Sequence, residues 1–65
     1  MNSIIKNGQV WYLKEMKIYV EIISVMKERV IVSELSNPKK ELSNSNQIYT
    51  LPKYEIVGRI IQENI

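Results

Sequence analysis

The stretch KIYVEIISVMKERVIVSEL, Lys17 to Leu35, decides the fold. Ile18, Val20 and Ile22 alternate with Lys17, Tyr19 and Glu21, the period of two that sends apolar side chains to one face of a strand and polar ones to the other. A second β-branched run, Val30-Ile31-Val32, follows, and Met26-Lys27-Glu28-Arg29 is the polar break between the two. The chain is expected to reverse there, so that the arms pair antiparallel as one long β-hairpin with Arg29 at its tip. In the first arm the alternation slips, because Ile22 and Ile23 are adjacent and Val25 keeps the phase of Ile23. A β-bulge accounts for the slip, and one extra residue of this kind is how small barrels bend a long strand. The rival reading is a helix from Tyr12 to Arg29, uninterrupted by Gly or Pro, with Leu13, Met16, Val20 and Ile23 as its stripe. Ile18, Ile22 and Val25 fall off that stripe.

Upstream, Met1 to Lys6 reads as a frayed end or an edge strand carrying Ile4 and Ile5. Asn7-Gly8 is turn chemistry, since both residues tolerate positive φ. Gln9-Val10-Trp11-Tyr12-Leu13 reads as the first strand, with Val10 and Tyr12 on one face and Trp11 and Leu13 on the other, and Lys14-Glu15-Met16 as a short connection. Large side chains on both faces imply burial on both sides, or an aromatic presented to a partner. Downstream, Ser36 to Asn46 is a polar loop in which only Leu42 offers an apolar anchor. Gln47 to Leu51 reads as a fourth strand, Leu51 to Glu55 as a single helical turn set by Pro52, and Ile56 to Ile61 as a short last strand around Gly58. The rival here is a C-terminal helix capped by Thr50, with Tyr54, Val57, Ile61 and Ile65 at helical spacing. Gly58 opposes it, since a mid-helix Gly costs about 1 kcal/mol relative to Ala.

Composition agrees with sheet. The chain has 65 residues, expected to form one domain over 1–65 with a small core, near the size at which about 60% of the unfolded surface is buried. Its 11 Ile and 6 Val, with no Ala or Phe, favour strands over helices. Cys, His and Asp are absent, which removes disulfides and the common thiolate and imidazole metal sites, so neither a metal nor a cofactor is expected. The wealth of Ile, Lys, Asn and Tyr, all encoded by A/T-rich codons, points to an A/T-rich source such as a low-GC bacterium or its phages. No run approaches the roughly 18 consecutive apolar residues of a membrane span, and the apolar part of MNSIIKNG is too short for a signal peptide. A cytoplasmic location without membrane association is therefore expected. A net charge of +2, spread along the chain, is modest for a nucleic-acid binder.

The succession of strand, bent hairpin, polar loop, strand, one-turn helix and short strand resembles the SH3-like small β-barrel. The residues that carry the resemblance are GQVWYL (8–13), IYVEIISV (18–25), RVIVSEL (29–35) and YTLPKYEIVGRI (49–60). It implies an all-β, five-stranded barrel with a single helical turn before the last strand. A pattern of strands and turns carries no function with it. Peptide-binding SH3 domains use an acidic loop beside a cluster of aromatics, and this chain has the aromatics without a comparable acidic loop.

The side-chain inventory points away from catalysis. Without His, Cys or Asp the usual triads cannot be assembled, and each of the seven Glu residues reads as part of a solvated strand face. Gly8 and Gly58 stand alone, so no phosphate-binding loop is present. The chain is read as a non-catalytic binding module. The candidate contact residues are Trp11, Tyr19, Arg29, Lys39, Lys40, Tyr49, Tyr54 and Arg59, since Trp, Tyr and Arg most often anchor interfaces. Against this, Trp11 and Tyr12 suit a core that has no Phe, Lys39-Lys40 followed by Glu41 suits a solvated turn, and Arg29 and Arg59 suit internal salt bridges. Tyr19, flanked on its face by Lys17 and Glu21, is the tyrosine expected to be exposed. Three readings follow, in this order: a small inhibitor or adaptor acting by protein–protein contact and carried by a phage or mobile element; a nucleic-acid-binding small barrel; and an oligomer that sequesters a nucleotide-like small ligand between subunits. A homodimer is expected, because apolar groups on both sheet faces exceed what one small interior can cover.

Overall fold

Five antiparallel strands form one sheet in the order β4-β3-β2-β1-β5: β1 (Val10–Leu13), β2 (Ile18–Val25), β3 (Arg29–Leu35), β4 (Ile48–Pro52) and β5 (Gly58–Gln62). The computed structural model describes residues 5–37 and 47–63. The expected hairpin is β2 and β3, and at its reversal the Met26 N–H donates to the Arg29 carbonyl at 2.8 Å. Arg29 is the first residue of β3 and lies opposite Pro52 of β4. The bulge falls where the alternation slips: Ile22 pairs with Val32 and Ser24 with Ile31, leaving Ile23 as the extra residue. That shift returns Val25 to the face of Ile22. A second irregularity, unforeseen from sequence, sets Trp11 opposite Ile60 and Val10 opposite Gln62, so that Ile61 is skipped.

Neither rival helix forms. The segment 12–29 spans parts of three strands, and the only helical piece among the described residues is the 3-10 turn Lys53–Glu55. Chain reversal at 14–17 instead brings Tyr12 opposite Tyr19 and Leu13 opposite Ile18. Lys17 takes a positive φ of 60° to close that turn, and its N–H donates to the Leu13 carbonyl at 2.7 Å. Such a conformation is uncommon for a residue with a Cβ, and nothing in the residue type signals it.

The expectation of a closed barrel is corrected. β4 and β5 stand at the two ends of the sheet and do not pair with each other. Consecutive in sequence, they are separated by the 3-10 turn, and Pro52 at the end of β4 brings no N–H to a ladder. The interior is closed by side chains instead. Trp11, Leu13, Val20, Ile22, Val30, Val32 and Ile56 form the core, with Ile5, Met16, Ile18, Val25, Tyr49, Leu51 and Ile60 packed around it. Each Val, Leu or Ile so buried contributes about 1.5–3 kcal/mol from apolar transfer alone.

β1 is buried on both faces, as its sequence implied. Trp11 and Leu13 lie in the core, while Val10, 0% exposed, is buried outside that cluster. Ahead of the strand Gly8 turns the chain at φ 88°, and its N–H donates to the Ile22 carbonyl at 2.7 Å. Gln9 follows, only 1% exposed. Its Oε1 accepts from Trp11 Nε1 and from the Lys6 N–H, both at 2.9 Å, and its Nε2 donates to Glu63 Oε1 at 2.9 Å. An unpaired buried amide or indole N–H costs about 1–3 kcal/mol, so this network is what allows Gln9 and the Trp11 ring to be interior.

Gly58 faces Leu13 where β5 comes closest to β1, and a Cβ at position 58 would overlap the Tyr12 carbonyl. Glycine permits this approach of two backbones. Replacement Gly58→Ala is expected to lower stability by about 1–3 kcal/mol through overpacking, read as a shift in the urea unfolding midpoint. An unchanged midpoint would contradict the close β1–β5 approach.

Candidate functional site

Pro52, with φ −62° and ψ 148°, ends β4 and leads into the 3-10 turn. Backbone hydrogen bonds fix that turn and the residues that leave it. The Lys53 N–H donates to the Glu28 carbonyl at 3.0 Å, which ties the turn to the β2–β3 reversal. The Ile56 N–H donates to the Lys53 carbonyl at 3.0 Å, and the buried Ile56 side chain anchors the exit of the turn in the core. Lys14 of the β1–β2 turn donates its N–H to the Val57 carbonyl at 3.0 Å. Held at the middle of the turn, Tyr54 projects into solvent with 80% of its surface exposed.

Two grooves share Tyr54 as a wall. One, of about 440 Å³, is lined by Lys27, Glu28, Arg29, Pro52, Lys53 and Tyr54. The other, of about 310 Å³, is lined by Glu15, Met16, Tyr54, Glu55 and Val57. Met26 and Val57, both more than a third exposed, add apolar surface beside Arg29 and Tyr54 respectively. An exposed aromatic on a backbone tied to two neighbouring chain reversals presents a large contact area with little backbone freedom to lose, which suits an interface anchor.

Of the residues expected to make contacts, the fold brings Arg29 and Tyr54 to this surface. Trp11 is 3% exposed and hydrogen-bonded to Gln9, so its role is interior. Tyr19, expected to be exposed, is half-buried. Its charged neighbours along the strand do not set its environment. The cross-strand partner does: the Tyr12 and Tyr19 rings lie 5.1 Å apart at 56°, with buried Leu35 opposite Tyr19 on its other side. Arg59 continues that row, its guanidinium carbon 5.8 Å from the Tyr12 ring centroid. This cation–π contact is the internal role of Arg59, in place of the salt bridge weighed from sequence. Tyr49 is half-buried beside the core and donates its hydroxyl to Glu34 Oε1 at 3.1 Å. Lys39 and Lys40 lie outside the described residues.

Sequence reading missed Lys27, Lys53, Met26 and Val57 as companions of Tyr54, and Gln9 as a buried amide. Pro52, which foretold the turn, was the available signal for the first group, since a one-turn helix exposes its middle residue. Gln9 two residues before Trp11, on the same face of the strand, was the signal for the second.

Among the described residues no group of acidic, Cys or His side chains is placed to hold a metal ion, and no helix is long and apolar enough to cross a membrane. The class these features define is a small all-β domain, an open five-stranded sheet that displays an aromatic residue between two grooves. No family model, curated protein or solved structure matches the chain. The likeness to SH3-like proteins thus rests on the succession of strands and the single turn.

The Tyr49–Glu34 contact carries a pH dependence. The hydrogen bond to Glu34 comes first among the causes that hold the Tyr49 hydroxyl above its ordinary value of 10.0, followed by partial burial and repulsion from the Glu34 carboxylate. Because the folded value is raised, the contact stabilises the fold fully below pH 10.0 and the contribution is lost as pH rises through the folded value. Ultraviolet absorbance titration is expected to show Tyr49 ionising above its ordinary value of 10.0, with Glu34→Gln bringing it back toward that value. A titration identical in the two proteins would contradict the coupling.

Proposed function

We propose that this chain is a non-catalytic binding module, an inhibitor or adaptor, that acts by protein–protein contact through the surface around Tyr54. The observation that carries the reading is the exposure of Tyr54, a large aromatic held out by a turn that is itself pinned to two hairpins. Buried rings explain themselves as core. A ring 80% exposed contributes little to the folding of its own chain, and its place as a wall of two grooves offers contact area to a partner. The absence of His, Cys and Asp from the sequence supports a role without catalysis. The wealth of Ile, Lys, Asn and Tyr fits an A/T-rich source, a low-GC bacterium or its phages, and the same reading takes a phage or mobile element as the carrier and the cytoplasm as the place of action.

Self-association belongs to the same proposal. Ile48, 57% exposed, lies on the end strand β4, which among the described residues pairs only with β3. A second copy laid along this strand would cover Ile48 and satisfy the open edge. A nucleic-acid reading draws on one observation, the grouping of Lys27, Arg29 and Lys53 beside Tyr54, which suits phosphate contacts next to a stacking ring. It ranks second because Glu28 stands in the same groove and Glu15 and Glu55 line the next one, so a polyanion would meet carboxylates on both sides.

Tyr54→Ala tests the proposal. The variant is expected to unfold within about 0.5 kcal/mol of the parent, as surface substitutions do, while losing at least about tenfold in affinity for a protein captured from lysate by the parent chain. Retained capture would contradict the assignment, and capture of nucleic acid in place of protein would favour the second reading.

A further inference from the structure

We infer that the Tyr54 surface selects an extended peptide segment of mixed charge, acidic where it lies in one groove, aliphatic across Tyr54 and basic where it lies in the other. The inference rests on the preceding reading that Tyr54 marks the binding surface, and it adds the chemistry of the partner.

The observation is the opposite sign of the two grooves. The larger is lined by three cations, Lys27, Arg29 and Lys53, against one carboxylate, Glu28. Among the described residues the smaller is lined by two carboxylates, Glu15 and Glu55, and by no cation; Lys14, next to Glu15 in sequence, lines a separate hollow with Tyr12, Gly58 and Arg59. Between them stand apolar groups, with Pro52 and Tyr54 on one side and Met16, Tyr54 and Val57 on the other. Backbone hydrogen bonds hold this arrangement together. The Lys53 N–H to Glu28 carbonyl bond fixes the cationic side, and the Lys14 N–H to Val57 carbonyl bond joins the β1–β2 turn that bears Glu15 to the chain leaving the 3-10 turn. The turns that bear the charges are thereby held beside one another by backbone bonds.

Its consequence is orientation. A segment with the same charge at both ends meets repulsion in one groove, and a neutral one gains only the apolar contacts of the centre. A segment of matched polarity gains in both grooves and can lie in only one direction. Exposed charge pairs are weak individually, so the gradient sets specificity and direction more than affinity. A fully extended heptapeptide, spanning about 23 Å, is long enough to cross Tyr54 with two charged residues at each end.

The test uses labelled heptapeptides with three central aliphatic residues: two with an acidic pair at one end and a basic pair at the other, in opposite chain orders, one acidic at both ends, one basic at both ends and one neutral. Affinity is read by fluorescence anisotropy at low salt, and the contact surface by amide chemical-shift changes. One of the two mixed peptides is expected to bind about three- to tenfold more tightly than each same-charge peptide. Its shift changes should cover 27–29, 53–55 and 15–16, and Lys53→Glu should erase the preference over the basic peptide. Equal or tighter binding by a same-charge peptide, shifts confined to one groove, or no binding by any peptide below millimolar concentration would overturn the inference. Tyr54→Ala separates the two failures. If peptides bind at Tyr54 with no charge preference and Tyr54→Ala abolishes binding, the surface stands and the gradient falls. If the shifts lie away from Tyr54, both fall.

Discussion

β1 carries the constraint on which the other strands depend. With only Val10–Leu13 it must pair with β2 on one side and β5 on the other while leaving neither face to water. Three local features meet that demand. Gln9 accepts the indole N–H of Trp11, so the largest side chain of the protein can be interior without an unpaired donor. Gly58 allows β5 to approach where a side chain would meet the Tyr12 carbonyl. The irregularity between Val10 and Trp11, where Ile61 is skipped, lets β5 stay paired with β1 beyond Ile60, which packs against the core opposite Trp11. Remove any of these and the strand loses a neighbour or gains a buried polar group without a partner.

The same arrangement produces the presented surface. The bulge at Ile23 increases the bend and twist of the β2–β3 hairpin ahead of its reversal. That reversal supplies the Glu28 carbonyl that receives the Lys53 N–H, and the 3-10 turn is stopped by burial of Ile56. Tyr54 is therefore exposed as a consequence of where its neighbours go: Leu51 and Ile56 pack inward on either side, and no residue of the intervening turn is buried. The stability of the sheet and the exposure of Tyr54 are linked through the same backbone contacts.

The elements were legible in the sequence because each has a local cause. Alternation gave β2 and β3, the Ile22-Ile23 slip gave the bulge, and Pro52 gave the single turn, each within a residue or two of its observed place. What was not legible depends on neighbours distant in sequence. Barrel closure requires β4 and β5 to meet, and they do not. Tyr19 looks exposed from Lys17 and Glu21 but is covered by its cross-strand contacts with Tyr12 and Leu35. Gln9 reads as an ordinary polar strand residue until Trp11 and Glu63 are placed beside it. The site was half legible: Tyr54 and Arg29 were named, but the residues that give its two grooves opposite charge come from three separate turns.

Native-state amide hydrogen exchange, resolved by residue, tests the dependence on β1 most directly. If β1 organises the sheet, the slowest-exchanging amides lie on β1 and on the facing parts of β2, opening only with global unfolding, while β4 at the end of the sheet exchanges earlier through local opening. Amides of β1 that exchange as fast as those of β4, with protection greatest in β3 and β4, would contradict the account and place the organising centre in the other half of the sheet.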